Sequence, residues 1–290
     1  MFPTHPEQPS GEGFDTIGSL DSEASRTLFA GLLETRPTLE SALVEAGLKD
    51  HDITLENSIE FSSVALRDPE IGALGLTEDE AGAISCYTLE GPGGTKAPYK
   101  VVNECLAESR DRASLFAIRK FLYLLLSGLR KLPRSRPSAG QVFYRGITRK
   151  VPTTKEEADG HQFYEKGRTV TWWGFTSTTT DLGTTNAFLK SAQPSTLFNI
   201  GGRDLWGYSI KKFSPFPREE EILLEPETKV LVTGVIALGN SLLIDLALQQ
   251  RDRLVLEDII PVGVGAITCL PQRKDEKDVN DTMKGDECNQ

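Results

Sequence analysis

Apolar residues at helical spacing dominate the first half of the chain. Between residues 114 and 132 they form one wide stripe, made of Leu115, Ile118, Leu122, Leu125, Leu126 and Leu129. A stripe of this width predicts a core helix, and Pro133 is expected to end it. Another helix is predicted to begin after Thr77, because Thr77 and Glu80 have the spacing of a capping box.

A weaker helical pattern occupies residues 21–50. Its apolar members are Leu28, Leu32, Leu39 and Leu43, and Pro37 divides them into two groups. Thr38 is a suitable N-cap for the second group and Gly47 a suitable end. The pattern therefore predicts a helical hairpin.

From residue 141 the periodicity changes to that of short strands separated by Gly, Pro and Asn turns. The predicted strands are 141–145, 169–173, 195–200, 205–210, 221–224, 230–238, 242–248 and 254–259. Helices that come first, followed by strands, are typical of an α+β domain and not of alternating βαβ units. The sequence contains no Gly-rich dinucleotide fingerprint and no P-loop. If a nucleotide binds, it is not expected to bind through either of these motifs.

The pattern divides the chain into a helical extension over residues 21–60 and a main domain over residues 61–272. Within the main domain, a helical lobe is expected over residues 61–133 and a β core over residues 141–262. Residues 1–20 and 273–290 are polar and without periodicity, and are expected to be disordered.

The formal net charge of −10 argues against nucleic acid or an anionic membrane as the main partner, since both require a basic surface. The longest uncharged run, residues 230–244, falls short of the roughly 18–20 apolar residues that span a bilayer. The N-terminus lacks the features of a secretion signal. Together these features predict a cytoplasmic protein. The four cysteines and three histidines show no metal-ligand spacing, so no metal site is expected.

Three polar segments occur in strand-type surroundings. Arg145 ends one predicted strand, a hydroxyl run over Ser177–Thr179 ends a second, and Glu219–Glu221 opens a third. In an extended chain Glu219 and Glu221 would share one face and raise each other's proton affinity. Each segment alone also fits an ordinary structural role, and a run of glutamates is usually a solvated acidic edge.

In this order the three segments resemble the arginine-specific mono-ADP-ribosyltransferases. The signature of that family is an Arg on one strand, Ser-Thr-Ser on the next and Glu-x-Glu on a third. The flanks agree as well, because Phe175 precedes the hydroxyl run and Phe216 lies in the loop before the glutamates. The resemblance covers residues 60–265, and Thr179, where the family usually has Ser, keeps a hydroxyl.

The resemblance implies an α+β fold with an N-terminal helical lobe, followed by two packed sheets of short, mostly antiparallel strands with NAD in a cleft. It implies NAD as co-substrate, with NADP as an alternative, and no metal. Its implied partner is a protein that presents an arginine, and the oligomeric state is left open. Two other readings remain, an NAD glycohydrolase that uses water as acceptor and a non-catalytic NAD-binding module on the same fold.

The resemblance also implies roles for the four polar residues. Cleavage of the nicotinamide–ribose bond builds positive charge on the sugar, which Glu221 would stabilise in the transition state. Ser177 would fix Glu221, and Arg145 would bind the phosphates of the dinucleotide through its planar fork. Glu219 would orient the acceptor guanidinium and take its proton.

Other NAD contacts are expected from Gly146 and Thr178, which flank these residues. Phe188 follows the hydroxyl run at a place where the family usually has an aromatic residue against nicotinamide. A role in the core is equally compatible with Phe188.

Overall fold

The computed structural model describes residues 28–32, 34–48, 51–107, 112–159, 161–183 and 193–249. In this part of the chain the helices come first and the strands follow, with one short helix between the strands. The predicted α+β class is confirmed.

The helices are α1 Leu39–Glu45, α2 His51–Leu66, α3 Pro69–Gly72, α4 Glu78–Tyr87, α5 Pro98–Ala107, α6 Arg112–Lys131 and α7 Lys155–Ala158. Short 3₁₀ turns lie at Pro92–Gly94, Lys211–Phe213 and Pro217–Glu219. The predicted core helix is confirmed as α6, and every residue of its apolar stripe is buried. The division of the chain at residue 60 stays a prediction, and α2 runs without interruption through that position.

The predicted helix caps are also present. The Ser41 backbone N–H donates to the Thr38 hydroxyl over 3.2 Å at the start of α1. At the start of α4, Thr77 and Glu80 form both hydrogen bonds of a capping box. The first helix of the predicted hairpin lies mostly outside the described residues, and within residues 28–32 and 34–35 the chain consists largely of turns.

The strands are β1 Arg134–Ser135, β2 Phe143–Ile147, β3 Thr169–Trp172, β4 Thr176–Thr179, β5 Ser195–Gly201, β6 Gly207–Ser209, β7 Glu221–Leu224, β8 Thr228–Leu238 and β9 Ser241–Leu248. The predicted strand over residues 254–259 lies outside the described residues. In the described residues the strand order is β1-β6-β7-β4-β2-β5-β9-β8-β3. The pair β5–β9 is parallel, and the other pairs are antiparallel.

Among the described residues, the ladder between β2 and β4 is the shortest in the sheet, because it consists of the single pair Tyr144–Thr179. We call this point the narrow join of the sheet. This join divides the sheet into one half made of β1, β6, β7 and β4 and another made of the remaining strands. Ile222 and Leu224 from the first half lie in the same apolar cluster as Phe198 from the second. The two sheets expected from the sequence are therefore two halves that share a core and are linked through one residue pair.

A second apolar cluster lies between the helices and the first half of the sheet. It includes Leu223 of β7 and Phe175, which directly precedes β4. Since neighbouring side chains of a strand point to opposite faces, Leu223 faces the helices whereas Ile222 and Leu224 face the other half of the sheet. No helix of the described residues is both long and apolar enough to cross a bilayer.

The packing of α1 generates a stability prediction with an internal control. Leu43 is fully buried in the helical cluster, whereas its neighbour Val44 is 57% exposed. We expect Leu43→Ala to lower the free energy of unfolding by about 2–5 kcal/mol, because it removes apolar contacts and leaves a cavity. Val44→Ala is expected to change it by no more than about 0.5 kcal/mol. Urea denaturation checks both values, and equal effects of the two substitutions would contradict the placement of α1.

Candidate active site

The register of β4 and β7 brings the hydroxyl run next to the glutamates. Thr179 pairs with Glu221 and Ser177 pairs with Leu223. Residues opposite each other, and those two positions along, share one face of a sheet. Ser177 and Glu221 are therefore diagonal neighbours on the face that Leu223 turns toward the helices.

Thr178 belongs to the other face of β4. Its side chain is fully buried, and its hydroxyl donates to the Ile222 carbonyl over 2.7 Å. This hydroxyl therefore joins β4 to β7. Any contact of Thr178 with NAD stays a prediction.

Arg145 reaches across the narrow join of the sheet from β2. Only 6% of the residue is exposed, and its Nη1 donates to the Ser177 carbonyl over 2.8 Å. Burial lowers the pKa of Arg145 to about 10, while the nearby phenols of Tyr164 and Tyr87 and the charge of Glu221 act in the opposite direction. The guanidinium is thus charged at neutral pH. With five N–H donors, it has others that can bind phosphate oxygens.

Glu221 is a partly buried carboxylate. Burial raises the pKa of Glu221 to about 7 because it disfavours the charged form. The Ser177 hydroxyl and the Arg145 guanidinium lower that pKa, and the charge of Glu219 raises it. Near neutral pH the carboxylate therefore exists in both protonation states.

The Ser177 hydroxyl is the least satisfied polar group of the site. It lies close enough to Glu221 to lower the pKa of that carboxyl, yet no described residue completes a hydrogen bond of standard geometry with it. A buried hydroxyl ordinarily finds a partner, so Ser177 has hydrogen-bonding capacity for a bound substrate.

The extended conformation expected for the three glutamates is wrong. Pro217–Glu219 form a 3₁₀ turn, and Glu220 adopts the left-handed conformation with φ of 49°. Only Glu221 belongs to a strand, so the period of two does not govern Glu219. The charge of Glu219, two residues away along the chain, nevertheless raises the pKa of Glu221.

The loop that carries Glu219 is anchored to the helices at its base. Phe213 is fully buried in the helical cluster, and the Lys212 ammonium lies 2.8 Å from Asp68 at the N-terminus of α3. The neighbouring Lys211 binds the Glu220 carboxylate over 3.0 Å. Consecutive lysines therefore tie the loop to the helical lobe and to its own exposed glutamate.

Two residues of the site were not expected from the sequence. Asn103 on α5 bonds the backbone of Phe175, and the phenol of Tyr87 accepts from the Asn103 amide over 3.0 Å. The helix α5 could have been found from Pro98 at its start and from the helical spacing of Tyr99, Val102 and Leu106. Nothing in that spacing indicates what Asn103 contacts.

Gly146 and Phe188 were also expected to contact NAD. Gly146 is buried in β2 beside Arg145, and its contact with NAD stays a prediction. Phe188 lies outside the described residues. No group of three or more metal-ligating side chains occurs among the residues that the structure describes.

Comparisons with known proteins bear on the family and the fold of the chain. A family model described as ART, NAD:arginine ADP-ribosyltransferase, matches residues 57–253. A search of curated proteins finds no match.

Solved structures with a similar fold include the type III effector XopAI from Xanthomonas axonopodis pv. citri. It is 16% identical, the match covers 85% of this chain and 96% of that one, and the TM-score is 0.50. The eucaryotic mono-ADP-ribosyltransferase ART2.2 is 18% identical over 86% of this chain and 94% of its own, with a TM-score of 0.48. For Vis toxin, an ADP-ribosyltransferase from Vibrio splendidus, the values are 18%, 76%, 91% and 0.45. Likeness at this level of identity concerns the fold.

The raised pKa of Glu221 predicts a pH-dependent cost to stability. Between its ordinary value of 4.5 and about 7, the folded protein keeps a proton on Glu221 that the unfolded chain releases. Stability contributed by this group is therefore present below pH 4.5 and is lost as pH rises to about 7. Glu221→Gln has no such carboxyl, so we expect its unfolding free energy to rise relative to that of the parent as pH increases. Between pH 5 and pH 8 this difference should grow by about 1–2 kcal/mol, allowing for solvent screening.

Urea denaturation of both proteins at pH 5 and pH 8 measures this gain. Glu220→Gln is the matched control, because its carboxylate is exposed and its difference from the parent should stay nearly constant over that range. A constant difference for Glu221→Gln as well would show that Glu221 has an ordinary pKa.

Proposed function

Because the chain belongs to the NAD:arginine ADP-ribosyltransferase family, we propose that it transfers ADP-ribose from NAD to arginine side chains of proteins and releases nicotinamide. The observation that best supports this proposal is the meeting of Arg145, Ser177 and Glu221 at one join of the sheet. A buried guanidinium, an unsatisfied hydroxyl and a carboxylate with a pKa of about 7 lie together there. These are the groups that binding and cleavage of NAD require.

The bond-breaking step depends on Glu221. When the bond between ribose C1′ and the nicotinamide nitrogen breaks, its electron pair leaves with nicotinamide and positive charge develops on the sugar. A carboxylate already held beside the sugar stabilises that charge more in the transition state than in the ground state. Because Glu221 is partly removed from water, its charge is less screened than at an exposed site.

Arg145 and Ser177 hold the substrate in this scheme. Arg145 has N–H donors beyond the one that binds the Ser177 carbonyl, and a planar guanidinium binds a phosphate through two parallel hydrogen bonds. The Ser177 hydroxyl can donate to Glu221 or to a ribose hydroxyl. Both groups are buried, so little ordering is required when NAD binds.

Glu219 acts on the acceptor. An arginine side chain is protonated in water and is a poor nucleophile, so it must lose a proton as its nitrogen attacks C1′. Glu219 lies near Glu221 on the turn that leads into β7, and it can receive that proton. Protein, in preference to nucleic acid, is the proposed acceptor because the chain carries a net charge of −10. A cytoplasmic location remains part of the proposal.

Nicotinamide release from NAD, measured with and without agmatine as a free guanidino acceptor, tests the proposal. We expect release in both conditions and an ADP-ribosylated agmatine product in the second. Release of nicotinamide with free ADP-ribose as the sole second product would favour an NAD glycohydrolase. A folded protein that releases no nicotinamide would leave only a non-catalytic module.

The role of Glu221 predicts a large loss of activity in Glu221→Gln. We expect the rates of transfer and of NAD hydrolysis both to fall by about 100-fold or more, because the amide cannot offset positive charge on the sugar. NAD affinity measured by calorimetry should change little. Glu220→Gln, one residue away and exposed, should keep parental rates. Near-normal turnover of Glu221→Gln would remove this carboxylate from the reaction.

The role of Glu219 predicts that the two products separate in Glu219→Gln. Transfer to agmatine should fall by about 10²- to 10⁴-fold, the usual contribution of a general base. Cleavage of NAD should fall much less, because water can capture the sugar without a held guanidinium. Quantifying ADP-ribosyl agmatine and free ADP-ribose in the same reaction checks this. A loss of both products by the same factor would show that the two glutamates do not divide the work.

A further inference from the structure

Asn103 makes an unusual paired contact with the strand that carries Ser177. It lies on α5 and is buried. The Phe175 N–H donates to Asn103 Oδ1 over 2.9 Å, and Asn103 Nδ2 donates to the Phe175 carbonyl over 3.3 Å. The side-chain amide thus binds both backbone groups of Phe175, as a neighbouring strand would.

The neighbouring glycine shows how tightly this contact is packed. A Cβ at Gly174 would lie 2.7 Å from Asn103 Oδ1 and 2.8 Å from its Cγ. The three nearest atoms to that Cβ all belong to the side chain of Asn103, and a real Cβ essentially never comes within 3.0 Å of another heavy atom. Position 174 therefore accepts no side chain while Asn103 holds Phe175.

The same amide is connected to the reacting groups through Tyr87. Asn103 Nδ2 also donates to the Tyr87 hydroxyl, and the ring of Tyr87 meets the ring of Phe175 edge to face at 5.4 Å. Burial raises the pKa of Tyr87, and the charges of Glu221 and Arg145 act on it as well. The contact with Asn103 therefore lies on the helix side of the strand that carries Ser177.

The strand β4 is held differently on its two sides within the sheet. Toward β2, one residue pair joins β4 in the ladder, and the Arg145 bond to the Ser177 carbonyl adds a second link. Toward β7 the ladder is complete, so β4 and β7 move together. The bonds to Phe175, two residues before Ser177, are a polar link between this pair of strands and the helical lobe, in addition to the apolar packing of Phe175 and Leu223.

We propose that Asn103 is a positioning residue for the NAD reaction, which holds the backbone of Phe175 and thereby keeps Ser177 and Glu221 aligned with Arg145. This inference rests on the proposed function of the site. Asn103 acts through the strand and not by touching NAD. Small displacements matter here, because a shift of about 1 Å in a reacting group can cost about 100-fold in rate.

The steric fit at Gly174 provides a sharp test in the form of a double-mutant cycle. Asn103→Ala and Gly174→Ala should each lower kcat for nicotinamide release by about 10-fold or more, with KM for NAD within about 3-fold of the parent. In the Asn103→Ala background, Gly174→Ala should have less than about a 3-fold further effect, because the two nearest atoms, Oδ1 and Cγ, are gone and only the Cβ at 3.1 Å remains. Independent effects that multiply would overturn the proposal, as would a folded Asn103→Ala protein with parental kcat.

Val102→Ala is the matched control, since Val102 is the neighbouring buried residue on α5. It should lower the melting temperature and leave kcat unchanged. If Asn103→Ala does not give folded protein, Asn103→Ser replaces it in the cycle with the same expectation. A loss of kcat in Val102→Ala equal to that in the Asn103 variant would mean that α5 supports the site only through general stability.

Amide hydrogen exchange tests the contact without using activity. Residues 175–179 should exchange at least about 10-fold faster in the Asn103 variant than in the parent, and at the parental rate in Val102→Ala. If the parent releases no nicotinamide, the proposed function fails. Hydrogen exchange would still show whether Asn103 holds the backbone of Phe175, because it does not depend on activity. Unchanged exchange over residues 175–179 would overturn the role of Asn103.

Discussion

The hydrogen bond from Arg145 to the Ser177 carbonyl is the interaction on which the site depends. It crosses the sheet where one residue pair joins the two halves. A buried guanidinium is costly unless neighbouring groups compensate its charge, and here the carbonyl and the charge of Glu221 do so. The cation proposed to bind the phosphates of NAD therefore also holds together the two half-sheets that frame the site.

Glu221, in contrast, lowers the stability of the folded protein when it is ionised. Its burial and the nearby charge of Glu219 both disfavour the ionised form. A residue selected for stability alone would not be a partly buried carboxylate beside another one. The two apolar clusters supply the compensating stability, and β7 is fixed between them because Leu223 packs in one cluster and Ile222 in the other. In the proposed reaction, a carboxylate held this rigidly would need little rearrangement when charge develops on the sugar.

The sequence was informative wherever a local pattern determines the outcome. Arg145, Ser177 and Glu221 could be located because each lies in a strand-type segment and because their order resembles the signature of the mono-ADP-ribosyltransferases. Glu219 was placed with the wrong conformation, since the left-handed backbone of Glu220 interrupts the alternation that an extended chain would have. Asn103 could not be found at all, because its partner Phe175 is 72 residues away and only the tertiary fold brings the two together.

The helical lobe packs directly against the strand face that carries Ser177 and Glu221. On β4 and β7, the residues that face the helices include Phe175, Ser177 and Glu221, whereas Thr178 and Ile222 face the other half of the sheet. One face of this strand pair thus supplies the proposed chemistry and the opposite face supplies the link between half-sheets. Because both faces belong to the same two strands, we expect a displacement of the helices to move both Glu221 and the Ser177 carbonyl that Arg145 binds. The alignment of Arg145 with Glu221 consequently depends on three parts of the structure, the helical lobe and the two halves of the sheet. All three contact the strand that carries Ser177.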